Sequence, residues 1–193
     1  MRTQFASIWE AVADVVPDQT AVVQGERRLS WREYEHRASR LAGAIRGAGI
    51  SAGGKVGMYL YNSPEYCETN FAALKVRSMP INVNYRYLDN ELLYLVGNAD
   101  LEGLVFHTSL ADRVARVAAQ LEGVRLLVEV DDGPAPDGTT HVEGAIAYEE
   151  LLATSEPAAR MEPARDDVYI FYTGGTTGMP KGVMYPLEEF TGF

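Results

Sequence analysis

The sequence predicts an α/β fold in which a largely parallel sheet is flanked by helices. Three observations predict it. Beyond residue 50, short apolar runs alternate with segments whose apolar residues recur at helical spacing. The connections between them are short and carry turn residues. Strand followed by helix, repeated, builds parallel pairs, because a parallel partner needs a crossover and the helix supplies it.

The opening segment places Phe5, Ile8, Trp9, Val12 and Val16 at helical intervals with Pro17 just after, the pattern of an amphipathic helix and its stop. Two short runs, Ala21-Val22-Val23-Gln24 and Arg28-Leu29-Ser30, flank Gly25-Glu26 and predict a small hairpin. Tyr34, Ala38, Leu41, Ala42, Ile45 and Ala48 form one helical stripe, halted by Gly47 and Gly49. From there the expected order is a strand over residues 56–61, a helix over 65–76, a strand over 80–83 and a helix over 91–96. A strand over 103–106, a helix over 110–121 and a strand over 125–130 follow.

Residues 131–140 are polar and rich in turn formers, so they predict a surface excursion and not a domain linker. A short helix over 148–153 and a Pro-, Ala- and charge-rich crossing over 156–167 lead to Val168-Tyr169-Ile170-Phe171-Tyr172. This continuous apolar and aromatic run reads as a buried strand. Residues 187–193 resemble the first turns of another helix.

Composition bounds the function. The chain has 193 residues, 47% of them hydrophobic and 23% charged, which is globular and large enough to bury a core. A formal charge of −10 opposes nonspecific attraction to nucleic acid or anionic lipid, so neither partner is expected. The single cysteine, Cys67, has no internal disulfide partner and falls in a helical pattern as a small buried hydrophobe. His36, His107 and His141 lack ligand spacing, and no metal site is expected. No secretory leader or membrane span is visible, which makes the cytoplasm the expected compartment. Tyr85 and Tyr87 fit either sheet packing or a ligand contact.

The chemistry concentrates in Tyr172-Thr173-Gly174-Gly175-Thr176-Thr177-Gly178-Met179-Pro180-Lys181-Gly182-Val183. Glycines let the backbone approach an anion and take positive φ, threonine hydroxyls donate to its oxygens, and Lys181 adds a point charge. These are the parts of a polyphosphate cradle. It is not a Walker loop, because Met179-Pro180 and Pro180-Lys181 stand where Gly-Lys-Ser/Thr would be required. Nor is Gly47-x-Gly49-x-x-Ala52 a dinucleotide fingerprint, since it follows a helix and precedes a strand.

The order of residue types from Tyr172 to Gly182 resembles the phosphate loop of the adenylate-forming enzymes, Tyr/Phe-Thr-Ser-Gly-Thr-Thr-Gly-x-Pro-Lys-Gly, with Gly174 in place of the usual serine. This variant is similar to that of bacterial fatty-acid and steroid-side-chain CoA ligases. Leu29-Ser30-Trp31-Arg32-Glu33-Tyr34 resembles the family's first core motif. Residues 73–84, from Ala73-Leu74-Lys75 through Asn82-Val83-Asn84, resemble its second, with Ser78 where a glycine is usual.

The resemblance implies an acyl-CoA synthetase using ATP, Mg²⁺ and coenzyme A to activate a carboxylic acid, fatty or steroid-derived, through an acyl-adenylate. It assigns Thr173, Gly174, Gly175, Thr176, Thr177, Gly178 and Lys181 to the ATP phosphates and places no catalytic or metal-binding residue within the chain. Residues 1–193 would then be the N-terminal part of an adenylation domain without its C-terminal lid, inactive alone and able to self-associate through exposed apolar surface. A noncatalytic nucleotide-binding or partner-docking module is the alternative.

Overall fold

The structure is a computed structural model that describes residues 3–134, 136–138, 141–173 and 179–191. A helix α1 (Phe5–Val15) and a hairpin of β1 (Thr20–Gln24) and β2 (Arg27–Ser30) lead into the long α2 (Trp31–Gly47). The junction is set by two residues of the first motif. Ser30 Oγ accepts from the Glu33 N–H at 3.2 Å while Glu33 Oε2 accepts from the Ser30 N–H at 2.8 Å, a reciprocal cap that satisfies two otherwise orphaned donors. The stripe foreseen on α2 is the buried one: Tyr34, Ala38, Leu41, Ala42 and Ile45. Burying a side chain such as Leu41 or Ile45 contributes roughly 1.5–3 kcal/mol.

The alternating region then follows: β3 (Lys55–Tyr59), α3 (Pro64–Lys75), β4 (Met79–Asn82), α4 (Asp89–Asn98), β5 (Gly103–His107), α5 (Ala111–Val117) and β6 (Leu126–Val130). Short 3₁₀ turns at Thr108–Leu110 and Ala118–Gln120 flank α5; the first begins before, and the second lies within, the 110–121 span where one helix was expected. A three-residue β7 (Ala145–Ala147), which the sequence did not announce, joins the far edge before α6 (Tyr148–Thr154). It is short and alanine-rich, so it carries no alternation to read.

These strands form one parallel sheet in the order β4-β3-β5-β6-β7. Strand alternation divides the core between the faces. Val56, Met58, Val105 and Val128 pack with Leu41, Phe71 and Leu151 on the side of α1, α2, α3 and α6. Leu104 and Phe106 pack with Leu92, Leu95 and Val114 on the side of α4 and α5. Between β3 and β5 the chain reverses its direction of growth across the sheet.

Helix stops show which residue must take positive φ. Gly49 does so at +79°, with Gly49 N–H donating to Arg46 O and Ile50 N–H to Ile45 O, a Schellman ending; Gly47 is the last helical residue. In the second motif the same ending falls on Arg77, at +59°, with Arg77 N–H donating to Leu74 O and Ser78 N–H to Ala73 O. Ser78 is therefore free of the left-handed requirement. It is buried, and its hydroxyl donates to Ser51 O.

Two expectations need correction. The run through Tyr172 forms β8 (Val168–Thr173), but of its residues only Ile170 is buried, and Phe171 is 44% exposed. Nor does β8 belong to the parallel sheet: it pairs antiparallel with β9 (Lys181–Pro186), a strand the sequence did not announce, and lies against β4. An apolar run is silent about which of its faces receives a partner, and β9 is mostly exposed between two prolines. Cys67 is half-buried on α3, not fully enclosed. A short α7 (Leu187–Thr191) follows β9. Among the described residues no helix is long and apolar enough to cross a membrane.

Candidate functional site

The β8–β9 hairpin carries the candidate site at its tip. Thr173 and Lys181 are directly paired across it, and both are exposed. Gly174, Gly175, Thr176, Thr177 and Gly178, the other residues assigned to phosphate contact, lie outside the described residues. Lys181 makes no ion pair among the described residues, so its ammonium is available to an anion.

The strands below the tip are fixed by specific contacts. Tyr172 faces Gly182 across the ladder, and a Cβ on Gly182 would stand 3.1 Å from the tyrosine ring and 3.1 Å from Ile170 Cγ2. The glycine after Lys181 thus makes room for the aromatic ring beside it. The Tyr172 hydroxyl donates to Asn98 Oδ1 at 2.9 Å, tying the hairpin to α4, and burial raises its pKa. On the other face, Asn70 Nδ2 donates to the Tyr169 hydroxyl at 2.8 Å.

The base of the hairpin is anchored by charge. Leu187 N–H donates to Asp167 O, Asp167 Oδ2 accepts from Ala164 N–H, and Arg77 binds Asp167 at 2.7 Å and Asp166 at 2.8 Å. The left-handed turn at Arg77 is what ends α3 and starts the chain toward β4, so the second motif supports the site from a distance.

Lys75 of that motif is also structural. Its side chain is fully buried, donating to Glu10 Oε1 at 2.6 Å and Glu35 Oε1 at 2.8 Å beside the Phe71 ring. It joins α1, α2 and α3.

Two features were not assembled from sequence. An aromatic cavity of about 340 Å³ lies beside β8, walled by Phe5, Trp9, Tyr66, Tyr169 and Phe171 with Asn70 at one side. With Tyr34 its walls come from four separated elements, α1, α2, α3 and β8, and no single stretch announces it. At the carboxyl ends of β3 and β5, where open α/β sheets bind ligands, Tyr61 stacks on His107 at 5.5 Å and Tyr85 packs on Tyr61 at 4.8 Å. His107 is buried, its Nδ1 accepts from Tyr61 N–H at 3.0 Å, and burial lowers its pKa, so the ring is held neutral. Tyr87 serves packing through its backbone: its carbonyl accepts from the Tyr59 hydroxyl at 2.7 Å and from Arg113.

A parallel sheet with helices on both faces and an exposed hairpin beside it defines a doubly wound α/β protein. Residues 9–191 match the family described as AMP-binding enzyme, and the chain belongs to it. It is 40% identical over 98% of its length to a 3-oxocholest-4-en-26-oate–CoA ligase of Rhodococcus rhodochrous. It is 36% identical over 93% of its length to the medium-chain acyl-CoA ligase Mig of Mycobacterium avium. In both comparisons the chain spans 34% of the relative's length.

Solved structures agree on the fold. The anthranilate CoA ligase AuaEII in complex with anthranoyl-AMP superposes with a TM-score of 0.86 at 21% identity, covering 98% of this chain and 36% of that one. A benzoate CoA ligase from Burkholderia xenovorans superposes with a TM-score of 0.78 at 19% identity, covering 98% and 35%.

Proposed function

We propose that this chain is the N-terminal part of the adenylation domain of an acyl-CoA synthetase, and that its β8–β9 hairpin grips the phosphates of ATP. Thr173, Gly174, Gly175, Thr176, Thr177, Gly178 and Lys181 are the residues proposed to do so. The carrying observation is that an exposed lysine, without an ion pair among the described residues, is paired with Thr173 at the two ends of the glycine- and threonine-rich segment. The names of the relatives, ligases of steroid and medium-chain acids, support a fatty or steroid-derived carboxylic acid as substrate and coenzyme A as acceptor. A cytoplasmic setting goes with such an activity, because ATP and coenzyme A are supplied there.

In the proposed reaction the acid's carboxylate attacks the α-phosphate, giving acyl-adenylate and pyrophosphate, and the thiol of coenzyme A then displaces AMP. The task of this chain is to stabilise the negative charge that gathers on the leaving pyrophosphate. One well-placed donor of this kind contributes about 2.7–4 kcal/mol to a transition state. Mg²⁺ enters the proposed reaction as the companion of the triphosphate.

Phosphorus-31 NMR titration of the chain with ATP tests the grip, with AMP, which lacks the β- and γ-phosphates, as control. ATP is expected to bind and Lys181→Ala to weaken it at least about tenfold while changing stability by no more than about 0.5 kcal/mol, as for an exposed residue. Unchanged binding in Lys181→Ala would refute the assignment. Given ATP, Mg²⁺, coenzyme A and a panel of fatty and steroid acids, the 193-residue chain alone is expected to release no AMP; sustained release would show that it is a complete catalyst.

A further inference from the structure

The aromatic cavity beside β8 spans about 340 Å³, the lower end of the range that holds small molecules. Six of its eight lining residues are aromatic, Phe5, Trp9, Tyr34, Tyr66, Tyr169 and Phe171, and the other two are Cys67 and Asn70. Among the described residues no acidic or basic side chain lines it. An ion entering it would lose water without gaining a charged partner, so the lining selects for an uncharged occupant.

The rings are arranged to receive another ring. Phe5 lies nearly parallel to Trp9, at 19° and 5.9 Å, but stands at 90° to Tyr169, and Tyr169 is tilted by 35° from Phe171. Edges as well as faces therefore border the space. Ring faces carry partial negative charge and ring edges partial positive charge. A further aromatic ring can meet both in offset or edge-to-face contact, whereas a quaternary ammonium group is attracted by faces alone.

The polar atoms add a direction. The Tyr34 hydroxyl donates to Cys67 O at 2.9 Å, and the Tyr169 hydroxyl accepts from Asn70 Nδ2 at 2.8 Å. The Tyr66 hydroxyl has no hydrogen-bond partner among the described residues. It is not sealed in: the unpartnered oxygens without accessible surface among these residues are Asp112 Oδ1 and Glu129 Oε1. Burial of the Tyr66 ring, with Tyr169 close by, pushes its pKa up to about 12, so the proton stays on the oxygen and is available to an acceptor. One open donor beside an uncharged aromatic wall matches a ring whose single polar group accepts.

We propose that this cavity binds an uncharged one-ring aromatic molecule carrying a single carbonyl, the ring packing among Phe5, Trp9 and Phe171 and the carbonyl oxygen accepting from the Tyr66 hydroxyl. The site shares no residue with the one proposed for the ATP phosphates and holds whether or not ATP binds.

The test is a nitrogen-15 HSQC titration of the 193-residue chain with acetophenone, read at the Trp9 indole and Asn70 side-chain signals. Saturable shifts are expected, with roughly millimolar affinity for a ligand of this size. Benzoate, its charged counterpart, and tetramethylammonium are each expected to bind at least about tenfold more weakly. Cyclohexyl methyl ketone, with the same acceptor but no π face, is expected to bind at least about threefold more weakly. Tyr66→Phe is expected to weaken acetophenone about threefold or more, the loss of one neutral hydrogen bond, and to leave toluene binding unchanged. Should Tyr66→Phe fail to fold, Phe171→Ala takes its place, removing an exposed wall, with a loss of about fivefold or more expected. Absence of saturable shifts, any of the three control ligands binding as tightly as acetophenone, or unchanged acetophenone affinity in the folded variant would each overturn the proposal. So would an equal loss of toluene and acetophenone affinity in Tyr66→Phe.

Discussion

Replacing Lys75 by methionine keeps the aliphatic stem against Phe71 and removes only the ammonium. The structure then leaves Glu10, 7% exposed, and Glu35, 22% exposed, without the donor that now reaches them at 2.6 and 2.8 Å. Arg160 offers partial relief, since its nitrogens stand 4.0 Å from Glu10 and 3.9 Å from Glu35, beyond hydrogen-bonding distance and already engaged with Asp14 at 2.6 Å. Breaking one side of a buried ion pair costs about 3–5 kcal/mol, and the residual attraction to Arg160 puts the expected loss near the bottom of that range, about 3 kcal/mol. For a domain of this size that is a fall in Tm of roughly 6–12 °C.

Urea unfolding of wild type and Lys75→Met measures the loss. The double variant Glu10→Gln/Lys75→Met removes the more buried of the two stranded charges and is expected to recover at least about 1 kcal/mol. A loss below about 1 kcal/mol, or a double variant no more stable than Lys75→Met, would refute the view that the second motif's lysine is a structural hub of α1, α2 and α3.

Two further outcomes follow from the site's surroundings. Tyr172→Phe removes the hydroxyl that donates to Asn98 and is expected to cost about 0.5–1.5 kcal/mol, with a double-mutant cycle against Asn98→Ala showing coupling of most of that size; strictly additive losses would remove Asn98 as the anchor of the hairpin. His107 is expected to titrate below the ordinary imidazole value of 6.5, because burial outweighs the opposite pull of Asp132 and Glu65. A depressed imidazole favours the folded state fully above that ordinary value and loses the contribution as pH falls through the lower folded one. An NMR titration of the His107 ring with a midpoint at or above 6.5 contradicts the buried acceptor role of Nδ1.

The three motifs were legible because each meets a local backbone demand. Ser30 and Glu33 cap a helix within four residues of chain, and Gly182 leaves the room that the facing Tyr172 ring needs. Helix α2 declared itself through a stripe of which Tyr34, Ala38, Leu41, Ala42 and Ile45 are buried, while Ala48 is the partly buried cap beyond the helix end. By contrast, Glu129, His141 and the β7 residues are ordinary when read alone, and their common cleft exists only because β7 returns beside β6. The aromatic cavity beside β8 is of the same kind, drawing on α1, α2, α3 and β8.

By itself the sequence determined the class of fold and the order of its helices and most strands, since periodicity, capping and glycine placement are properties of neighbouring residues. Tertiary structure alone decided that β8 turns back on β9 instead of entering the sheet, that Lys75 is sealed between two carboxylates, and that Arg77, not residue 78, takes the left-handed turn. Those outcomes depend on which distant surfaces meet. Burial energy is shared among segments that a linear chain keeps far apart.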